Sequence, residues 1–278
     1  MTLEFKPMLK RMPRPVFLLL LAVFLNACSG IDYDPTKDWT AKDFYDEARS
    51  ALNAAEFQTA IKHLETLEAR YPFDPYAKQA QLDVAYSYYK FDEPESAISA
   101  VERFMRLHPR DPHIDYAYYL KGLVNFNRGS GLLDAWFPRD PAQYDAEVMT
   151  TAFNDFATLV RRYPQSAYAG DAHQRMIYLR NMIARKEIAI AEYYVERGSW
   201  EGAANRARSV IEKYQESASS RRALEILEIA YKQLGLNDLA EDARRVLELN
   251  KLAPAPDNVK PKDLEDDDFS TPPSVAAG

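Results

Sequence analysis

Thiol and imidazole chemistry has few carriers in this sequence: one cysteine, Cys28, and four histidines. His63, His108, His113 and His173 form no pair at metal-ligand spacing, and His108 and His113 flank Pro109 and Pro112 on a predicted loop. His108 takes the place that Tyr71, Tyr163 and Tyr214 hold elsewhere in the chain, which argues for a structural role. No phosphate-cradling glycine loop, nucleophile elbow or dinucleotide fingerprint occurs. Acidic residues are plentiful, but they fall mostly on predicted helix surfaces, with no sign of a paired acid and base. The acidic run from Asp263 to Asp268 has no scaffold to fix calcium ligands and reads as a solvated tail. These residues point away from an enzyme and toward a scaffold that works by binding, with neither metal nor cofactor.

Cys28 is the exception, because its surroundings suit acylation. It closes the tetrad Leu25-Asn26-Ala27-Cys28, directly after the apolar run Val16 to Leu25. Lys6, Lys10, Arg11 and Arg14 precede that run. A basic segment, an apolar stretch too short to span a bilayer and a small residue at the break make a secretory signal. The tetrad resembles the bacterial lipoprotein signal; Ala27 fits that pattern and Asn26 departs from it. The alternative is a free thiol after an ordinary cleavage site. A lone cysteine in an exported protein has no disulfide partner, however, and an exposed thiol there is reactive unless capped. Residues 1–27 are therefore expected to be removed, and residues 28–38 to form a lipid-anchored linker. In lipoproteins of this kind, serine after the cysteine, here Ser29, permits transfer to the outer membrane.

The formal charge of −7 includes +3 from the leader, so the mature side chains carry −10. That balance argues against nucleic acid as a partner, since phosphates need basic patches. Nine glycines and 18 tyrosines suit helical scaffolding better than hairpins of strands.

The elements that would position any binding surface are visible as repeats. Ala60, Ala97, Ala152, Ala203 and Ala240 recur at spacings of 37, 55, 51 and 37 residues. Seven residues beyond each lies an apolar side chain: Leu67, Phe104, Leu159, Val210 and Leu247. Four beyond lie Leu64, Val101, Phe156, Ala207 and Arg244, the last marking a degenerate or capping repeat. Twelve beyond lie Pro72, Pro109 and Pro164, which should end their helices. Ala48, Ala85, Gly122 and Ala191 are the matching small residues of the first helices. The third pair is 18 residues longer, a surplus placed in a Gly- and Pro-containing loop between Arg128 and Met149 that carries Trp136 and Phe137. The fourth is 14 residues longer, read as about four extra turns on the helix over 171–196, which has neither Gly nor Pro. The pattern resembles the tetratricopeptide repeat and predicts an all-α superhelix of five helical hairpins over residues 39–252. Residues 253–278, acidic and Pro-rich, are expected to be disordered.

Longer motifs carry a narrower resemblance. Arg70-Tyr71-Pro72-Phe73-Asp74-Pro75-Tyr76, Gln81-Leu82-Asp83-Val84-Ala85-Tyr86-Ser87-Tyr88-Tyr89-Lys90 and Asp115-Tyr116-Ala117-Tyr118-Tyr119-Leu120-Lys121-Gly122-Leu123 resemble the BamD family of outer-membrane lipoproteins. Asp140-Pro141, the segment Ala152 to Phe156 and the segment Ala191 to Trp200 extend the likeness from the lipid-attachment motif to about residue 250. The resemblance implies a lipid-anchored protein on the periplasmic face of the outer membrane. It implies binding to a BamA-like barrel protein through that protein's last POTRA domain, to BamC- and BamE-like lipoproteins, and to unfolded outer-membrane proteins. Arg206 matches the family arginine that faces an acidic site on the barrel partner, where a planar guanidinium fits a carboxylate better than lysine would. Tyr71, Pro72 and Phe73 match a substrate-binding region, with repeat architecture alone also calling for Tyr71 and Pro72. Trp136 and Phe137 are candidates for a partner contact or for packing back on the array. A rival reading is a periplasmic repeat lipoprotein of a division or Tol-Pal system. The short spacer between Cys28 and Trp39 leaves little room for the coiled coil such proteins often carry.

Overall fold

In the computed structural model the described residues are 34–128, 145–251 and 272–273. They fall in two units, residues 1–40 and 41–278. The first contributes a turn in which Asp34 Oδ1 accepts from the Thr36 amide at 2.9 Å and its hydroxyl at 2.6 Å.

The second holds ten helices among the described residues, paired as five hairpins: α1 Ala41–Asn53 with α2 Phe57–Arg70, α3 Pro75–Lys90 with α4 Pro94–Leu107, α5 Ile114–Asn127 with α6 Ala146–Arg162, α7 Ala169–Glu196 with α8 Trp200–Lys213, and α9 Ser220–Gln233 with α10 Asn237–Leu249. They stack as a tetratricopeptide-like superhelix. Each first helix packs on its own partner and on the second helix before it, and α1 with α3, α3 with α5 and α7 with α9 also touch. Second helices pack chiefly against first helices. A sandwiched helix must be apolar or satisfied on most faces, whereas an outer one needs a single stripe. Accordingly α3 buries Ala77, Gln79, Ala80, Leu82, Asp83, Val84, Ala85, Tyr86 and Ser87, while α4 buries only Ala97, Ala100, Val101 and Phe104.

Local chemistry sets the helix ends. Asp74 caps α3 by accepting from the Tyr76 amide at 2.9 Å, with Pro75 in the first turn, and Asp145 caps α6 through the Glu147 amide at 2.9 Å. Tyr71, His108, Tyr163 and Tyr214 end α2, α4, α6 and α8 with nearly the same backbone, φ between −127° and −132°. Each amide closes back on the carbonyl four residues earlier. Gln215 follows the last of these where the others have proline, so proline reinforces the stop without being required for it. His108 is thus a backbone equivalent of the tyrosines, with its ring 5.1 Å from Phe104.

The five anchor alanines lie at the crossings and are buried. Gly122 is the glycine that a close approach demands: a Cβ there would sit 2.5 Å from Phe156 Cε1. Where the second helix brings phenylalanine to the crossing, the first must give up its methyl group. The long fourth pair is a 28-residue α7, as its sequence predicts. In the third pair the surplus lies between the end of α5 at Asn127 and the start of α6 at Ala146, and most of it, with Trp136 and Phe137, lies outside the described residues. The signal segment and Cys28 lie outside them too. In the tail, Pro272 is buried and the Pro273 carbonyl accepts a hydrogen bond from Gln79.

Candidate protein-binding surfaces

The turn between α2 and α3 presents Tyr71, Pro72 and Phe73 together but in different settings. The Tyr71 amide bonds the Leu67 carbonyl at 2.9 Å, and its ring lies 6.4 Å from Phe44, so this residue serves the hairpin. Pro72 lines an open cleft of about 490 Å³ with Glu65, Glu68, Ala69, Gln81 and Arg103. Within it Arg103 Nη1 pairs with Glu68 at 2.9 Å, yet burial raises the Glu68 carboxyl above its ordinary range against that attraction. Tyr88 donates to Glu65 at 2.5 Å, and burial, with that carboxylate, pushes its phenol up to about 12. Phe73 stands apart, 99% exposed. Such a ring at a turn supports no core and is suited to anchoring a partner.

One turn along α3 lies a polar cluster that sequence reasoning missed. Gln79 is 3% exposed and Asp83 fully buried. The Gln79 amide donates to Asp83 Oδ1 at 3.0 Å and to the Pro273 carbonyl at 2.9 Å. Asp83 Oδ2 lies 3.8 Å from Arg49 Nη1 and makes no hydrogen bond among the described residues; nor does the buried Tyr45 hydroxyl. Burial pushes the Asp83 carboxyl up to about 6, against the Gln79 hydrogen bond and the Arg49 charge. Burial, with the charge of Asp83, raises the Tyr45 phenol. The available signal was glutamine and aspartate four apart on one face of a helix otherwise rich in Ala, Leu, Val and Tyr.

Arg206 lies on α8, its side chain 45% exposed, and Nη1 meets Glu187 of α7 at 3.2 Å. The guanidinium is therefore oriented by a carboxylate of its own chain while half of it stays open to another. At the far end, Leu236, Leu239, Val246 and Leu249 are exposed among the described residues, as are Ile229 of α9 and Leu234 just after it. The last hairpin is thus an open apolar end, whereas Arg244 had suggested a degenerate or capping repeat. The structure does not gather Phe73 and Arg206 into one site: Phe73 lies between the first and second hairpins and Arg206 in the fourth.

Among the described residues no three histidine, cysteine or acidic side chains cluster as metal ligands. Burial holds His63 and His108 below the ordinary imidazole range. No described helix is long and apolar enough to cross a membrane.

Fold and surfaces together define a helical-hairpin repeat protein. The chain belongs to the YfiO family, described as outer membrane lipoprotein, whose model matches residues 37–247. It is 42% identical over 244 residues to outer membrane protein assembly factor BamD of Neisseria meningitidis (serogroup A), covering 86% of this chain and 91% of the relative. It is 37% identical over 235 residues to the protein of that name from Vibrio cholerae, covering 84% and 97%. The one from Xylella fastidiosa (strain 9a5c) is 36% identical over 250 residues, covering 88% and 84%. A crystal structure of MamA protein aligns over 76% of this chain and 92% of that one, at 16% identity and a TM-score of 0.33, and nothing is built on that likeness.

Proposed function

We propose that this protein is an assembly factor for outer-membrane proteins that acts by binding, making and breaking no bonds. The observation that carries this reading is the family match over 37–247, joined by relatives named as assembly factors that are matched over most of their length. In this reading an acyl chain on Cys28 holds the protein at the periplasmic face of the outer membrane. Arg206, half open and steered by Glu187, meets an acidic site on the last POTRA domain of a BamA-like barrel protein. Phe73, next to Tyr71 and Pro72 in the turn, offers an apolar anchor to extended segments of unfolded outer-membrane proteins. BamC- and BamE-like lipoproteins join the assembly through other faces.

The test is a pull-down of the tagged mature protein from detergent-solubilised outer membrane. We expect recovery of a POTRA-containing barrel protein, reduced severalfold by Arg206→Leu. Unchanged recovery would remove Arg206 from the interface, and absence of any such barrel would overturn the assignment. Cys28→Ala should abolish palmitate incorporation and release the protein from membranes; incorporation surviving that change would refute the anchor.

A further inference from the structure

The contact between Gln79 and Pro273 joins residues 194 apart in sequence, and neither the repeats nor the anchor accounts for it. We propose that Pro272-Pro273 is a resident ligand of the second hairpin: a segment of the chain's own tail that occupies the Gln79 face of α3 and must leave before an extended peptide of another protein can bind there.

The chemistry of the site selects such a ligand. A glutamine amide nitrogen carries two hydrogens. Asp83 Oδ1, an acceptor, takes one at 3.0 Å and thereby turns the nitrogen of the amide, and not its oxygen, toward the second partner. With the tail in place Gln79 is 3% exposed, so that second hydrogen needs an acceptor within the protein. The Pro273 carbonyl supplies it at 2.9 Å. A proline pair is suited to the place: it has no N–H groups to satisfy, and its restricted backbone loses little entropy on docking. Pro272 is buried and Pro273 half-buried, so both rings take part.

The tether permits this contact. The 20 residues between Lys251 and Pro272 can span at most about 70 Å. Three steps between neighbouring hairpins, at roughly 10 Å each, amount to about 30 Å. Tethering supplies an effective concentration on the order of 1 mM, so a contact with Kd of about 0.1 mM would be filled roughly nine-tenths of the time. An occupant in that range would block casual binding yet yield to a ligand of moderate affinity.

The experiment uses the full mature chain, kept soluble by Cys28→Ser, with benzoylphenylalanine in place of Ser274. On irradiation the photoprobe should form intramolecular cross-links to α3 or the neighbouring α1, located by mass spectrometry. Gln79→Ala should lower their yield at least fivefold with helicity unchanged by circular dichroism. Replacing Pro272 and Pro273 by serine, which leaves every residue of the ten helices unchanged, should lower the yield as well. Because an amide-carbonyl bond is neutral, the yield should persist in about 0.5 M salt. Cross-links scattered over the array or confined to dimers would overturn the proposal. So would a yield indifferent to Gln79 and the prolines, or its loss in salt, which would assign the contact to the acidic run.

Discussion

A buried carboxyl with one oxygen left without a hydrogen bond makes Asp83 the residue most exposed to a change of pH. Its pKa is about 6 in the fold, from burial, against roughly 4 for an ordinary aspartate. Below pH 4 it is protonated whether the chain is folded or not. Between pH 4 and 6 the unfolded chain releases the proton while the fold retains it, so this residue's contribution to stability falls as pH rises. Above pH 6 a constant penalty of about 3 kcal/mol remains. Arg49, Gln79 and Tyr45 face the carboxyl and soften that penalty. Asp83→Asn should therefore raise the melting temperature more at pH 7.5 than at pH 4. A difference between variant and parent that stays constant across that window would remove Asp83 as its source. His63 and His108 act with the opposite sign, since burial lowers them and their stabilisation is lost as pH falls below the unfolded imidazole range. Comparing variant with parent cancels their share.

Helix crossings carry the next layer of specificity. Phe156 is fully buried at the crossing of α5 with α6, its ring 6.1 Å from Tyr119 and 6.2 Å from Phe126. Those neighbours leave the ring no room to swing away from a Cβ at Gly122. Gly122→Ala would gain about 1 kcal/mol of helix propensity but meet an overlap costing about 1–3 kcal/mol, and more where the helices must part. We expect net destabilisation in urea titrations, relieved when Phe156→Leu is added. A stabilised Gly122→Ala would show that the crossing yields freely. Gly122 could be recognised from sequence as the third small first-helix residue, since the alanine spacing is local. That it must be glycine could not, because the reason lies in the ring at position 156.

At the scale of the whole array, stability passes from hairpin to hairpin, and individual junctions decide whether it melts as one unit. Between the third and fourth hairpins, Asp171 on α7 accepts from Tyr119 on α5 at 2.7 Å and from Arg175 at 2.6 Å. Arg175 is 1% exposed and lies 5.0 Å over the Phe126 ring. Asp171→Ala removes an acceptor shared by both groups from a place with little water. Breaking a buried pair of this kind costs about 3 kcal/mol or more. Calorimetry should show a lowered and broadened transition, with amide exchange in α7 accelerated before that in α3. An unaltered single transition would show that apolar stacking alone couples the hairpins. The tail contact belongs to this scale too, because it spans the array from its last residues to its second hairpin.

Helix number, the hairpin register and the long helix α7 were determined by sequence alone. Their signals recur over 3 to 12 residues, and short-range sterics of alanine, proline and apolar side chains suffice to produce them. What Arg206 touches, how open Phe73 stands and the apolar end at α10 were decided by tertiary structure. The same holds for the polar joints Gln79–Pro273 and Tyr119–Asp171–Arg175. Their partners lie on other turns or in other hairpins, up to 194 residues away, and no periodicity links a buried donor to an acceptor at that distance. The stacking of the hairpins brings them together, and the cost of leaving a buried polar group unpaired then determines which pairs form.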